Sequence, residues 1–417
     1  MTDILLYPAA VSGIARVPAS KSYVHRLMIV SVLSGHRLTI KGSPKSKDIE
    51  ATANCLKALG AKVWIGENSI EIAPPARFKP ALLDAAESGS TLRMLLPVIP
   101  VLGVEATFTG RGRLPLRPVK DVTEVLKKAG ARVEGESLPI KVGGRYTTKV
   151  FEIENPVSSQ HVSGILTALA ALGGGSITVK GKLPSEGYVS MTEEVLRLYG
   201  VDVVKTDAGY EVGSGFTEFP AEAEAETDWS GAAFMAAIGA VAGKVSVPAA
   251  KYPSLQPDSV CAEILKRAGA KVEITETGIV FSKGEKLEAF SFDADSSPDL
   301  VPAMAAAAAF ADGVSVIRGV DRLRLKESDR IASVVGMLDA TGIEARYSDN
   351  AIYIRGGTVR GGTVDAKNDH RIAMAAAVLA TGAEGAVKIK GAECVDKSFS
   401  GFFDEYVKIG GKAEWVK

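Results

Sequence analysis

Apolar positions along the chain sort into two alternating kinds of helix. The first kind is amphipathic and stops at a glycine just before a short strand. Its copies are LKALGAKVWI, LKKAGARVEG, LRLYGVDVVK, LKRAGAKVEI, LDATGIEARY and a weaker VKIGGKAEWV. Their glycines are Gly60, Gly130, Gly200, Gly269, Gly342 and Gly410, separated by 70, 70, 69, 73 and 68 residues. Glycine takes the left-handed conformation that ends a helix at little cost, and β-branched residues then favour a strand.

The second kind is rich in Ala, Leu and Met and has no polar face, which predicts burial from every side. These helices begin near Ser20, Ser90, Ser158, Asp228, Pro298 and Asp369, at spacings of 70, 68, 70, 70 and 71 residues. Each runs into a glycine-containing turn and a strand, as in HRLTIKG, VEATFTG and GSITVKG. The pattern predicts six copies of one unit: buried helix, strand, loop, amphipathic helix, glycine, strand, hairpin strand. Three buried helices packed together with sheets outside them make one lobe, so six units make two. A solenoid is disfavoured, because wholly apolar helices need cover in all directions. The acidic, Ala-rich stretch EFPAEAEAE at 218–226 is the expected crossing linker.

Bulk properties narrow the function. A length of 417 residues exceeds one ordinary core, in line with two lobes. The 49 basic and 49 acidic side chains cancel, which argues against a general nucleic-acid or membrane-surface binder. Any anion specificity must then come from local placement of Arg and Lys. Cys55, Cys261 and Cys394 form no CxxC pair and are odd in number, so neither a disulfide framework nor a zinc site is expected, and a cytoplasmic setting is the simpler one. The N-terminus lacks a signal-peptide pattern, and apolar runs such as 301–311 are too short to span a bilayer.

Basic residues enter the first turns of the apolar helices: Lys21 and Arg26, Arg93, His370 and Arg371. There they oppose the helix dipole and carry a desolvation cost. Both penalties are offset if the helix starts hold a phosphate or carboxylate. Parallel helices in each lobe would gather these starts at one end, and two such ends facing each other would form a cleft. Ser90 and Asp228 alone read as helix caps, and Ser158, Ser159 and Gln160 as either a cap cluster or a phosphate seat. The loops TGRGRLPLRPVKD and RLRLKESDRI are basic, but most of their charges read as solvated; Asp329 reads as a first-turn carboxylate.

SKSYVHR, SGSTLR, SSQ, KESDR and NDHR occur in this order at the repeat spacing. In these motifs, from about Pro8 to the C-terminus, the chain resembles the 5-enolpyruvylshikimate-3-phosphate (EPSP) synthase family. The resemblance implies an α/β fold, an inside-out α/β barrel of two lobes, each of three βαβαββ repeats with buried parallel helices. It implies that residues 13–226 form the N-terminal lobe, and that 1–12 join 227–417 in a discontinuous second lobe. The implied reaction moves the enolpyruvyl group of phosphoenolpyruvate to the 5-hydroxyl of shikimate 3-phosphate, with phosphate released and no metal or organic cofactor. The expected state is a monomer with no nucleic-acid or membrane partner.

The same resemblance assigns roles. Lys21, Asp299 and Glu327 are the catalytic candidates: Asp299 for the attacking hydroxyl, Glu327 for the methylene proton, and Lys21 for contact with both substrates. Lys21, Gly89, Arg93, Arg117, Gln160, Arg330, Arg371 and Lys397 are expected to bind phosphoenolpyruvate. Lys21, Ser22, Arg26, Ser158, Ser159, Gln160, Ser185, Tyr188, Asp299 and Lys326 are expected to bind shikimate 3-phosphate. Glu87, Ser90 and His370 stand nearby without a fixed role. The sequence departs from the family's NAGT at Glu87-Ser88-Gly89-Ser90 and from its GSKS at Ala19, and Arg322 stands where some relatives carry a neutral polar residue. Three rivals remain: the sister transferase acting on UDP-N-acetylglucosamine, a non-catalytic phosphometabolite binder, and an RNA-end-processing enzyme. The sister enzyme's loop carries a reactive Cys that RGRLPLRP lacks, and neutral charge disfavours the RNA enzyme.

Overall fold

The six glycines that were expected to end amphipathic helices all adopt positive φ in a computed structural model of the chain, between +70° at Gly200 and +111° at Gly60. The structure describes residues 2–42 and 46–416. In chain order the helices are α1 (Lys21–Ser34), α2 (Lys47–Ala58), α3 (Gly89–Leu95), α4 (Ile99–Leu102), α5 (Lys120–Lys128), α6 (Ser159–Ala171), α7 (Gly187–Leu198), α8 (Trp229–Ala242), α9 (Cys261–Arg267), α10 (Val301–Ala308), α11 (Arg330–Ala340), α12 (His370–Gly382) and α13 (Phe402–Lys408).

The chain divides into two compact units, Ala19–Ala225 and Met1–Pro18 with Glu226–Lys417. In the discontinuous unit, α8, α10 and α12 pack on one another, and almost every side chain on them is buried. The three run parallel. Arg371 at the start of α12 reaches Asp299 just ahead of α10, while residues 240–242, Phe310 and Thr381 at their far ends line one cavity. Three four-stranded sheets belong to this unit. The N-terminal strand Asp3–Tyr7 sits between Val387–Lys390 and Lys412–Val416, antiparallel to both. The next strand, Val11–Ile14, adds in parallel to Gly243–Pro248. That pairing keeps residues 13–18 with this unit, six residues beyond the boundary expected at 12. The fold is the two-lobed α/β repeat architecture that was expected.

In the other unit α1, α3 and α6 form the buried set, again with three four-stranded sheets. Two local expectations change here. The second apolar helix is broken into α3 and α4, because Pro97 and Pro100 lack an N–H for the helical ladder. The acidic stretch expected as the crossing linker does contain the boundary between the units, at Ala225 and Glu226, but it also supplies a strand, Glu222–Glu224, paired in parallel with Leu38–Lys41. Alternating Ala and Glu suit a half-exposed edge, and Lys41 pairs with Glu222 there. No helix among the described residues is long and apolar enough to cross a membrane.

Candidate active site

The helix starts carry the polar chemistry, and capping explains how they are shaped. Asp228, Ser158 and Asp369 accept from the backbone N–H of Ser230, Gln160 and Arg371, so each caps its helix. Ser88, not Ser90, caps α3 by accepting from Thr91 N–H; the cap lies two residues earlier than expected, which leaves the Ser90 hydroxyl to accept from Gln160. Ser20 sits at the cap position of α1 without a side-chain cap bond. Asp329 caps α11 from outside the helix, through Ala332 N–H, rather than lying in its first turn.

In the Ala19–Ala225 unit the predicted residues form two groups. Gly89, Ser90 and Arg93 at the start of α3 meet Gln160 at the start of α6: Gln160 Nε2 donates to Ser90 Oγ at 2.7 Å, and Arg93 Nη1 donates to Gln160 Oε1 at 3.2 Å. Arg117, buried after the turn Leu114–Leu116, joins them; a Cβ built on Gly89 would meet Arg117 Nη1 at 2.8 Å and Arg93 Nη1 at 3.4 Å. Two guanidinium groups, a glycine and an amide thus share one corner. The Glu87 carboxylate packs over Gly112 in the basic loop, where a Cβ would meet Oε2 at 2.7 Å.

The second group surrounds α1. Lys21 Nζ is held 2.6 Å from Asp48 Oδ2 in α2, with both side chains about one-seventh exposed. Arg26 is buried, and among the described residues it meets no carboxylate. Its donors go to Thr192 Oγ1 (2.7 Å), Ser163 Oγ (3.3 Å) and the carbonyls of Ser22 (2.7 Å) and Tyr188 (2.8 Å). Burial pushes its guanidinium down to about 10, against the pull of Tyr23 and Tyr188. Arg26 therefore ties α1, α6 and α7 together and places Ser22 and Tyr188. Ser159 is buried beside the α6 cap, and Ser185 holds a positive φ of 54° just ahead of α7. A buried chain, His25 Nδ1 to Thr52 Oγ1 to Thr91 Oγ1 to Ser88 Oγ, at 2.7, 2.7 and 2.8 Å, links the two groups.

The discontinuous unit gathers the other predicted residues around Asp299. Its Oδ1 accepts from Arg330 Nη1 at 2.7 Å and from Lys326 Nζ at 3.4 Å; its Oδ2 accepts from Arg371 Nη2 at 2.9 Å. Burial opposes ionisation, but Arg371, Lys326 and Arg330 outweigh it and hold the carboxyl well below its ordinary value. Arg330 is 1% exposed and also donates to Glu327 and to Asp369, the latter at 2.8 Å. Three carboxylates overcome its burial and hold its charge firmly. Burial pushes the Lys326 ammonium down to about 8, despite Asp299. Lys397 is buried and donates to Asn368 O at 2.7 Å; His370 is buried in the first turn of α12. Arg322 binds Asp295, while Arg111 and Arg324 are solvated, as expected for the loop charges.

Sequence reasoning missed three carboxylates: Asp48, Asp369 and Asp258. Asp369 lies inside NDHR, but its role as the anchor of Arg330 and Ser328 depends on a distant segment. Asp258 repeats, in QPDS, the Pro-Asp that opens SPDL at Asp299, and that likeness was the available signal. No cluster of His, Cys, Asp and Glu among the described residues is arranged to hold a metal ion, and the three cysteines are buried and free.

Comparison with known proteins bears on these clusters. The profile of the EPSP synthase (3-phosphoshikimate 1-carboxyvinyltransferase) family matches residues 7–406. The 3-phosphoshikimate 1-carboxyvinyltransferase of Aeropyrum pernix is 36% identical over 417 residues, covering 99% of this chain and 97% of that protein. The protein of the same name from Clostridium kluyveri is 34% identical, covering 100% and 99%. Among solved structures, an EPSP synthase from Acinetobacter baumannii superposes with a TM-score of 0.84 at 25% identity over the whole of both chains. The enolpyruvyl transferase NikO from Streptomyces tendae shares the fold, with a TM-score of 0.77 at 16% identity over 100% of this chain and 99% of that one.

Proposed function

The chain belongs to the EPSP synthase family of transferases, and we propose that its two clusters divide that family's reaction between them. The protein catalyses enolpyruvyl transfer in the shikimate pathway, from phosphoenolpyruvate to the 5-hydroxyl of shikimate 3-phosphate, with release of phosphate. UDP-N-acetylglucosamine is not its acceptor.

In this reading Gly89, Arg93, Arg117 and Gln160, with Arg330, Arg371 and Lys397, take phosphoenolpyruvate. Ser22, Arg26, Ser158, Ser159, Gln160, Ser185, Tyr188 and Lys326 serve shikimate 3-phosphate, Arg26 by placing its neighbours. Asp299 contacts the attacking hydroxyl, Glu327 handles the methylene proton and Lys21 contacts both substrates. Arginine forks suit phosphate and carboxylate. The activity belongs to the cytoplasm, carried by a monomer without cofactor, in keeping with the three free thiols.

The observation that carries the reading is the set of cations on Asp299. At rest they keep it ionised and a weak base. Arg371, Arg330 and Lys326 are all also assigned to substrate anions. Once those anions draw on their charge, the proton affinity of Asp299 rises, at the step when the hydroxyl must lose its proton. The test is phosphate release from the two substrates without added metal. Asp299→Ala and Glu327→Ala should each cut turnover by a factor of about 10²–10⁴ while calorimetric binding of shikimate 3-phosphate largely survives. Retained turnover in both variants would sink the assignment.

A further inference from the structure

Tied by a hydrogen bond to the segment that carries Asp299 is a carboxyl that the mechanism has not used. Asp258 sits in the turn Pro257–Val260 ahead of α9 and is 1% exposed. One of its oxygens accepts from the Ser230 hydroxyl in the first turn of α8. The other, Oδ1, is buried with no hydrogen-bond partner among the described residues. The turn is fastened on both sides to segments that carry the site. Ser297 Oγ, two residues before Asp299, donates to Pro257 O at 3.0 Å; Gln256 accepts from Trp229 N–H at 3.1 Å and donates to Thr227 O at 2.8 Å. The charges that act on Asp258 are Asp228 from the start of α8, Asp299 from the turn before α10, and Arg371 from α12, with the Cys261 thiol one turn along its own element. Arg371 gives its Nη groups to Asp299, and its Nε is buried without a partner among the described residues. A buried acceptor and a buried donor, both unsatisfied, thus lie within one electrostatic neighbourhood. Such orphans call for a reason, since each costs stability.

We propose that Asp258 is a positioning residue for enolpyruvyl transfer, setting how much of the Arg371 charge is available to Asp299 and to phosphoenolpyruvate. The inference rests on the roles given above to Asp299 and Arg371. Burial and then the charge of Asp299 push the Asp258 carboxyl up to about 6, against Arg371 and the Ser230 hydroxyl. Below that pH Asp258 is neutral and leaves Arg371 to its other partners. Above it, Asp258 is a second anion that draws on Arg371 and makes Asp299 more basic. The neutral form favours tight binding of phosphoenolpyruvate; the ionised form favours turnover.

The test compares wild type with Asp258→Asn, which is permanently neutral, from pH 5.5 to 8. The substrate phosphates titrate in the same window, but identically for both enzymes, so the ratio of variant to wild type isolates Asp258. Near pH 5.5 the two should agree. By pH 8 the variant should show both KM for phosphoenolpyruvate and kcat lowered, each by about 5-fold, less than one pKa unit of interaction. Ratios flat across the range would overturn the inference. If Asp258→Asn fails to fold, Ser230→Ala serves instead. It removes a hydrogen bond that favours the Asp258 anion, so the limb should move up by about half a unit; an unmoved limb overturns it. Asp299→Asn is run alongside. If that variant keeps turnover, the reading of Asp299 fails. If it is inactive while the Asp258 ratios stay flat, only the role of Asp258 falls.

Discussion

Arg330 and Asp369 are joined by a 2.8 Å bond from Nε to Oδ2, and neither side chain is more than 1% exposed. The carboxylate that holds Arg330 is also the cap of α12 and the acceptor for Ser328. Catalytic charge and helix architecture therefore share one residue. Removing it leaves a buried guanidinium undercompensated and a helix start uncapped. Asp369→Ala is expected to cost about 3–5 kcal/mol in urea unfolding. A loss below about 1 kcal/mol would mean that Glu327 and Asp299 suffice for Arg330.

Gly89→Ala tests the guanidinium corner of the other unit. The new methyl would crowd the ends of two flexible side chains, Arg117 and Arg93, rather than backbone. The fold should tolerate it, with a thermal midpoint within a few degrees of wild type, about 1 kcal/mol or less. The KM for phosphoenolpyruvate should rise about tenfold or more while that for shikimate 3-phosphate changes little, since displacing a positioned arginine costs at least about one charge-assisted bond. Equal effects on both constants would contradict the assignment of Arg93 and Arg117.

Arg26→Lys separates planarity from charge. The lysine keeps the cation but cannot reach four acceptors spread over α1, α6 and α7. The expected result is a loss of about 2–3 kcal/mol in stability with a weaker hold on shikimate 3-phosphate, read by denaturant titration and calorimetry. Full stability with weakened binding would show that Arg26 acts on the ligand directly rather than through Ser22 and Tyr188.

Acid should weaken the Ala19–Ala225 unit first through its histidines. Burial, helped by Lys21 and Arg26, holds His25 well below 6.5; burial, partly offset by Asp121, lowers His161. Both hold a proton less readily in the folded state than in the unfolded one, so unfolding takes up protons as pH falls below 6.5. Their contribution is complete above 6.5 and declines as pH falls from there toward the folded values. Urea midpoints should therefore drop between pH 6.5 and 5, and His25→Asn should flatten that slope. An identical slope in the variant would clear His25 of the effect.

Much of the fold was legible because its signals are local. A glycine at +102° in Gly130 or Gly410 ends a helix through its own backbone freedom, and an Ala- and Met-rich run such as α12 declares its burial in its own composition. The motifs SKS, SGSTLR, KESDR and NDHR also named most of the side chains that the structure gathers. The misplaced features depended on partners elsewhere. The strand Glu222–Glu224 reads as linker until Leu38–Lys41 offers it a parallel edge, and Ser90 reads as a cap until Ser88 takes that role.

The sequence by itself determined the six-fold repeat, the buried helices, the family and the cations at the helix starts, because periodicity, glycine caps and motifs are written in neighbouring residues. Only the tertiary structure decided what each cation does. Arg371 meets Asp299 across 72 residues, Arg330 meets Asp369 across 39, and Arg26 spends its donors on residues 137 to 166 positions away as well as on Ser22. Whether a buried charge is free for substrate or held by the protein depends on distance and burial, and those are set only when remote segments pack.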